Sequence, residues 1–268
     1  MVTTIGGLKV GERLIFGKYG VSNDNPHPVV WLKANLECNF ITEHAIDYIC
    51  FDATERSNER INIQYSGNGK YKWSNIFSFL NSENEQWYYP THRADSPPDI
   101  RNVTRYAEYE SHFGFLYHFE EYEIDSLIFD SIRVGGEDVS SLIRLPLMCE
   151  IVNDKRFKLF HKKGLRPKAT EDMVQHRIGT GFHRNSYIDF WLADEAEFPD
   201  YANILCRDGS CYIIRATEQS GLRPVCRIRE DTPVIMGEDG VYRVKPYTVH
   251  QNICTDAELF SLLGITPA

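Results

Sequence analysis

"ANILCRDGSCYIIRA", residues 202–216, decides how the chain is read. Two apolar runs flank Asp208-Gly209, and Asp-Gly is a preferred pair for a two-residue type I′ hairpin loop, in which both positions need positive φ. With that loop, Arg207 and Ser210 close the ladder. Cys206 then faces Cys211 as a non-hydrogen-bonded pair, with Cα atoms about 4.5 Å apart. The stretch is expected to be a β-hairpin carrying both thiols on one face.

Working outward, strands dominate both ends of the chain. "ERLIFGKYG" (12–20) and "VVWLKANL" (29–36) read as two strands joined by an Asn-, Asp- and Pro-rich loop. "SYIDFWLAD" (186–194) is another strand. "GLRPVCRIR" (221–229) is a strand in which Pro224 predicts an edge or a bulge. "MGEDGVYRV" (236–244) is a second hairpin around Asp239-Gly240. Between these ends, "KWSNIFSFLNSEN" (72–84) reads as a helix capped by Ser74, with Ile76, Phe79 and Leu80 on one face. "EDVSSLIRLPLMCEI" (137–151) predicts a short helix stopped near Pro146, and "KATEDMVQHRI" (168–178) one capped by Thr170. Thr255 and Glu258 form a capping box for a terminal helix that Gly264 ends. Residues 81–114 are polar and aperiodic, an extended excursion or an inserted lobe.

Bulk properties narrow the function classes. The 268 residues are 42% hydrophobic and 25% charged, ordinary globular values with enough chain for a substantial core. A net charge of −9 repels phosphate, so nucleic acid is not an expected partner. The basic run from Lys155 to Lys168 reads first as a solvated face. No signal peptide and no membrane insertion are expected, which places the chain in a host cytoplasm or a virion. Seven scattered cysteines without a C-x-x-C argue against a disulfide framework or a structural zinc site.

"VGERLIFGKYG", "VVWLK", "SNIFSFLN", "FWL", "RDGS" and "GLRPVCRI", in that order, resemble a domain family of unknown function common in Firmicutes and their phages. The resemblance covers about residues 10–228. It departs from the family at Phe77 and Phe79, where Arg and Trp are usual, and at "WLADEAEF". It implies an α+β, C-type-lectin-like fold related to formylglycine-generating enzymes. On that basis residues 1–228 form the domain, with an insertion near 81–114. Residues 229–268 form a C-terminal extension, a hairpin plus a terminal helix packed on the same domain.

Two constellations carry candidate chemistry. Cys206 and Cys211 can be two packed thiols, a cross-strand disulfide, or a copper(I) pair like the one the resemblance to formylglycine-generating enzymes implies. Asp194, Glu195, Glu197 and Asp200, with Asn203, offer hard oxygen ligands in one loop, the pattern by which C-type-lectin-like folds bind calcium and sugars. The bland reading of this group is a solvated acidic loop. No cofactor is expected, with calcium or copper as the exceptions that these residues would serve. The leading expectation is a non-catalytic binding or structural protein of phage or prophage origin, a virion-associated recognition or decoration protein. Its ligand would be protein or carbohydrate, and its neighbours other virion proteins or copies of itself. The alternatives are a copper-dependent cysteine oxidase and an intracellular phage accessory protein that binds a host protein.

Overall fold

Inward-facing aromatic and aliphatic side chains on alternate strand positions build two sheets over one main core. The computed structural model describes residues 2–151, 167–177, 183 and 186–246. In chain order its strands begin with β1 Val2–Thr4, β2 Arg13–Tyr19, β3 His27–Lys33, β4 Asn39–Thr42 and β5 Asp47–Cys50. Next come β6 Leu127–Ile128, β7 Asp130–Val134, β8 Glu137–Ser141 and β9 Ile143–Arg144. Then follow β10 Phe190–Glu195, β11 Tyr201–Leu205, β12 Cys211–Arg215 and β13 Gln219–Leu222. The last are β14 Val225–Ile228, β15 Pro233–Met236 and β16 Tyr242–Val244. The α-helices are short: α1 Ile61–Ser66, α2 Asn75–Leu80, α3 Glu121–Ile124, α4 Met148–Ile151 and α5 Glu171–His176.

The larger sheet runs β1-β15-β16-β2-β3-β4-β14-β6, with β9 also on β14, and curls into a half-barrel. The smaller runs β12-β11-β10-β13-β5, and β7–β8 is a separate hairpin. This is an α+β fold with mixed sheets and 14% helix among the described residues. Phe16, Trp31 and Phe40 of the large sheet enter the same core as Trp191, Ile204 and Leu222 of the small one. Both indoles are satisfied: Trp31 Nε1 donates to Phe16 O at 2.8 Å and Trp191 Nε1 to Ile49 O at 2.9 Å. The reverse faces of both sheets fill a second cluster containing Leu32, Ile41, Phe190, Leu192, Leu205 and Val225.

The quoted motifs have physical jobs. Gly17 sits at a register break in the β2–β3 pairing with φ +68, and an added Cβ would fall 2.2 Å from the Phe119 ring. Its N–H donates to Glu123 Oε1 at 2.8 Å. Ser74 caps α2 by accepting from Phe77 N, as its sequence predicts. Asn75 and Asn81 of the same motif tie the helix to Ala53, to Leu142 between β8 and β9, and to Ile143 of β9. Thr170 caps α5 as expected, accepting from Met173 N.

Three expectations are corrected. Residues 137–144 are strands rather than a helix, because Gly135 and Gly136 both take positive φ and turn β7 into β8. Ile132, Val134 and Val139 then point inward at period two, and the helical turn comes only after Pro146. Pro224 marks neither an edge nor a bulge. The chain leaves the small sheet after Leu222 and enters the large one at Val225, paired on both sides between β4 and β9. Proline has no N–H to lose at that crossing.

The third correction is the register of the opening hairpin. Leu205, not Cys206, pairs with Cys211. Cys206 N donates to Ser210 O and Gly209 N to Cys206 O, both at 2.8 Å, so the loop has three residues, Arg207-Asp208-Gly209. Gly209 alone has positive φ. Asp208 Oδ1 accepts from Ser210 N at 2.9 Å, which holds a type I turn followed by a glycine bulge. Glu238-Asp239-Gly240 closes β15–β16 with the same backbone bonds.

Residues 81–114 contain no helix or strand, yet Trp87, Ala107 and Tyr109 enter the main core. β15 pairs with β1 and β16 with β2, so residues 233–244 belong to the large sheet. The expected terminal helix around Thr255, and most of the basic run from Lys155, lie outside the described residues.

Candidate functional site

The shifted hairpin register separates the two thiols. Cys206 packs on the main core side of the sheet and Cys211 on the second cluster. Burial raises both thiols above their ordinary range, so both stay protonated at neutral pH.

The acidic residues 194–200 also diverge. Asp194 Oδ2 accepts from Met148 N at the start of α4 at 2.6 Å, and burial pushes its carboxyl up. The carboxylate of Glu195 lies over Gly135 in the β7–β8 turn. Glu197 is exposed. Asn203 Nδ2 donates to Asp194 O at 3.0 Å, spanning the β10–β11 connection. Of the five, Asp200 lines a cavity.

That cavity is an open groove of about 520 Å³ between α1 and the end of the β11–β12 hairpin. Ile61, Asn62 and Tyr65 form the helical wall, Phe198 and Asp200 come from the acidic loop, and Ile213 and Arg215 from β12. Tyr65 is 73% exposed, Ile61 60% and Phe198 50%. The Phe198 and Tyr201 rings lie 5.8 Å apart. Arg215 stands opposite Tyr201 in the ladder. Exposed rings with amide, carboxylate and guanidinium groups between them make an amphipathic binding surface. Of the five residues singled out in the sequence, Asp200 is in its lining. The rings escaped sequence reading, because Tyr65 and Phe198 stand in different segments with no shared periodicity.

A second cleft, of about 660 Å³, lies between the start of β3 and α5, lined by His27, His44, Thr170 and Asp172. Its Asp172 is held by the fold, whereas His44 Nδ1 is buried with no hydrogen-bond partner among the described residues. Asp172 Oδ2 accepts from Val21 N at 2.7 Å, and its other oxygen lies 2.8 Å from His176 Nδ1. Behind the cleft, Asp47 is fully buried. It accepts from the Tyr19 hydroxyl at 2.6 Å and from Arg177 Nε at 2.9 Å, and lies 3.6 Å from His112. Burial alone would raise the Asp47 carboxyl, but Arg177, His112 and the Tyr19 bond outweigh it and hold it low. Burial holds His112 down at about 4 and lowers His44 as well. Comparisons with family models, with curated proteins and with solved structures return no match to this chain.

Proposed function

We propose that the chain is a non-catalytic recognition protein that holds a glycan chain in the groove between α1 and β12. One observation carries this reading: the exposed rings of Tyr65 and Phe198 flank a groove edged by Asn62, Asp200 and Arg215. An aromatic face stacks on the apolar face of a sugar ring, and the amide, carboxylate and guanidinium groups give paired hydrogen bonds to hydroxyls. The net charge of −9 favours a neutral polymer over a phosphate-rich one.

The ordered motifs make a C-type-lectin-like origin in a phage or prophage part of the same proposal. The protein would then be virion-associated, presenting the groove to a cell-surface polysaccharide. The copper-oxidase alternative needs both sulfurs on one face, and the pairing of Leu205 with Cys211 weighs against it. An extended protein segment is the competing occupant of the groove.

Titration calorimetry with soluble bacterial cell-wall polysaccharide tests the reading. Tyr65→Ala and Phe198→Ala are each expected to weaken binding about fivefold, from ~1 kcal/mol per stacked ring. Wild-type protein that binds no such polysaccharide, or variants that bind as tightly as wild type, would overturn it. Capture of an extended peptide with the same two-variant sensitivity would transfer the groove to a protein ligand and equally overturn the glycan reading.

A further inference from the structure

Buried polar atoms without hydrogen-bond partners gather at the base of α1. Glu55 Oε1, His92 Nδ1 and Asp95 Oδ1 are all inaccessible and unpartnered among the described residues. One donor atom from each residue lies within 4.8 Å of the others. Glu55 is 1% exposed, and the Asp95 side chain 2%. The imidazole stands between the two carboxylates, with Nε2 3.3 Å from Glu55 Oε1 and Nδ1 3.1 Å from Asp95 Oδ1. Neither approach is aligned as a hydrogen bond.

The remaining donor atoms are anchored so that the orphaned ones face inward. Asn58 Nδ2 donates to Glu55 Oε2 at 2.5 Å, and Asp95 Oδ2 accepts from Thr91 N and from His92 N. The Trp73 ring packs against the imidazole, 5.8 Å between centroids. Asp52 is buried alongside; burial and the nearby Glu55 push its carboxyl well above the usual range. The Tyr88 hydroxyl is also buried and unpartnered, and it lies in the field of the same three carboxylates.

Grouping carboxylates in a dry site is costly, and unsatisfied buried atoms are rare enough in folded proteins that several together call for an occupant. We propose that Glu55, His92 and Asp95 bind one divalent cation of the zinc class. An imidazole with two carboxylates suits zinc, whose N and O ligands sit at ~2.0–2.2 Å and whose fourth position takes water. Calcium and magnesium prefer all-oxygen sets. Ligands around a tetrahedral ion of this kind lie ~3.4 Å apart, so the most widely spaced of the three atoms need to close by up to ~1.4 Å.

The ion fixes the segment that leads into the groove wall, because Glu55 N donates to Ile63 O within α1. The site stands whatever occupies the groove. The competing arrangement is an imidazole held between the two carboxylates with no ion present.

The test uses the full chain, stripped with chelator and titrated with zinc chloride by calorimetry, with metal content measured after dialysis. One equivalent is expected to be retained and the melting temperature to rise. E55Q and H92Q are each expected to lose affinity about tenfold or more. If those variants do not fold, diethyl pyrocarbonate footprinting of wild type decides, with zinc protecting His92 from modification. No zinc uptake, uptake undiminished in the folded variants, or equal modification of His92 with and without zinc would overturn the proposal.

Discussion

His112 gives the sharpest test of how charge is arranged behind the second cleft. Its ring is nearly buried beside Asp47, whose carboxylate Arg177 and Tyr19 already engage. Burial therefore wins over the attraction of Asp47, and the imidazole stays neutral down to about 4, against an ordinary 6.5. A value depressed by folding contributes stability that is complete above the unfolded value. That stability is lost as pH falls through the folded one. The gap is worth about 3 kcal/mol in all, of which about 2 kcal/mol is lost between about pH 7 and about pH 5. His112→Asn removes the titration while leaving the carboxylates that titrate in the opposite sense, such as buried Glu123, in place. Urea unfolding of both proteins at the two pH values isolates the term. Wild type is expected to lose about 2 kcal/mol more than the variant on acidification. A wild type that gains on the variant as pH falls would mean that His112 is an imidazolium paired to Asp47, and the reasoning would fail.

Three further outcomes follow from the packing. Gly17→Ala sets a Cβ into the Phe119 ring at positive φ, and should cost more than about 2 kcal/mol by chemical denaturation; a near-neutral effect would contradict the placement of Phe119. Arg144 is fully buried, with its guanidinium on Asp130 at 2.6 Å and on both Glu150 oxygens at 2.8 Å. Arg144→Ala strands two buried carboxylates and should cost about 3–5 kcal/mol, read as a lost or strongly lowered melting transition. Mild oxidation should leave Cys206 and Cys211 unlinked; a peptide map joining them by a disulfide would restore the facing pair and refute the hairpin register.

The sequence made local structure legible wherever a side chain acts on its own backbone neighbours. Ser74 and Thr170 cap helices through residues three positions on, and both are readable as caps. The same chemistry misled at Asp208-Gly209. The Asp side chain bonds two residues ahead and makes a three-residue loop, which moves every later rung by one. Crossing points are harder to see. Nothing local to "GLRPV" tells that Leu222 and Val225 serve different sheets, because the partners, β5 and β4, lie more than 170 residues earlier. The groove was visible only at Asp200, since its rings come from segments that meet in space alone. The Glu55–His92–Asp95 group has the same cause: its members stand up to 40 positions apart with no ligand spacing between them.

The central claim is that the α1–β12 groove receives a ligand chain, and amide hydrogen exchange with and without soluble cell-wall polysaccharide tests it most directly. Exchange is expected to slow in residues 61–66, 198–201 and 211–215, the segments that line the groove. Amides around His27, His44 and α5 should exchange unchanged. Protection confined to that second cleft, or spread nowhere on the molecule, would contradict it.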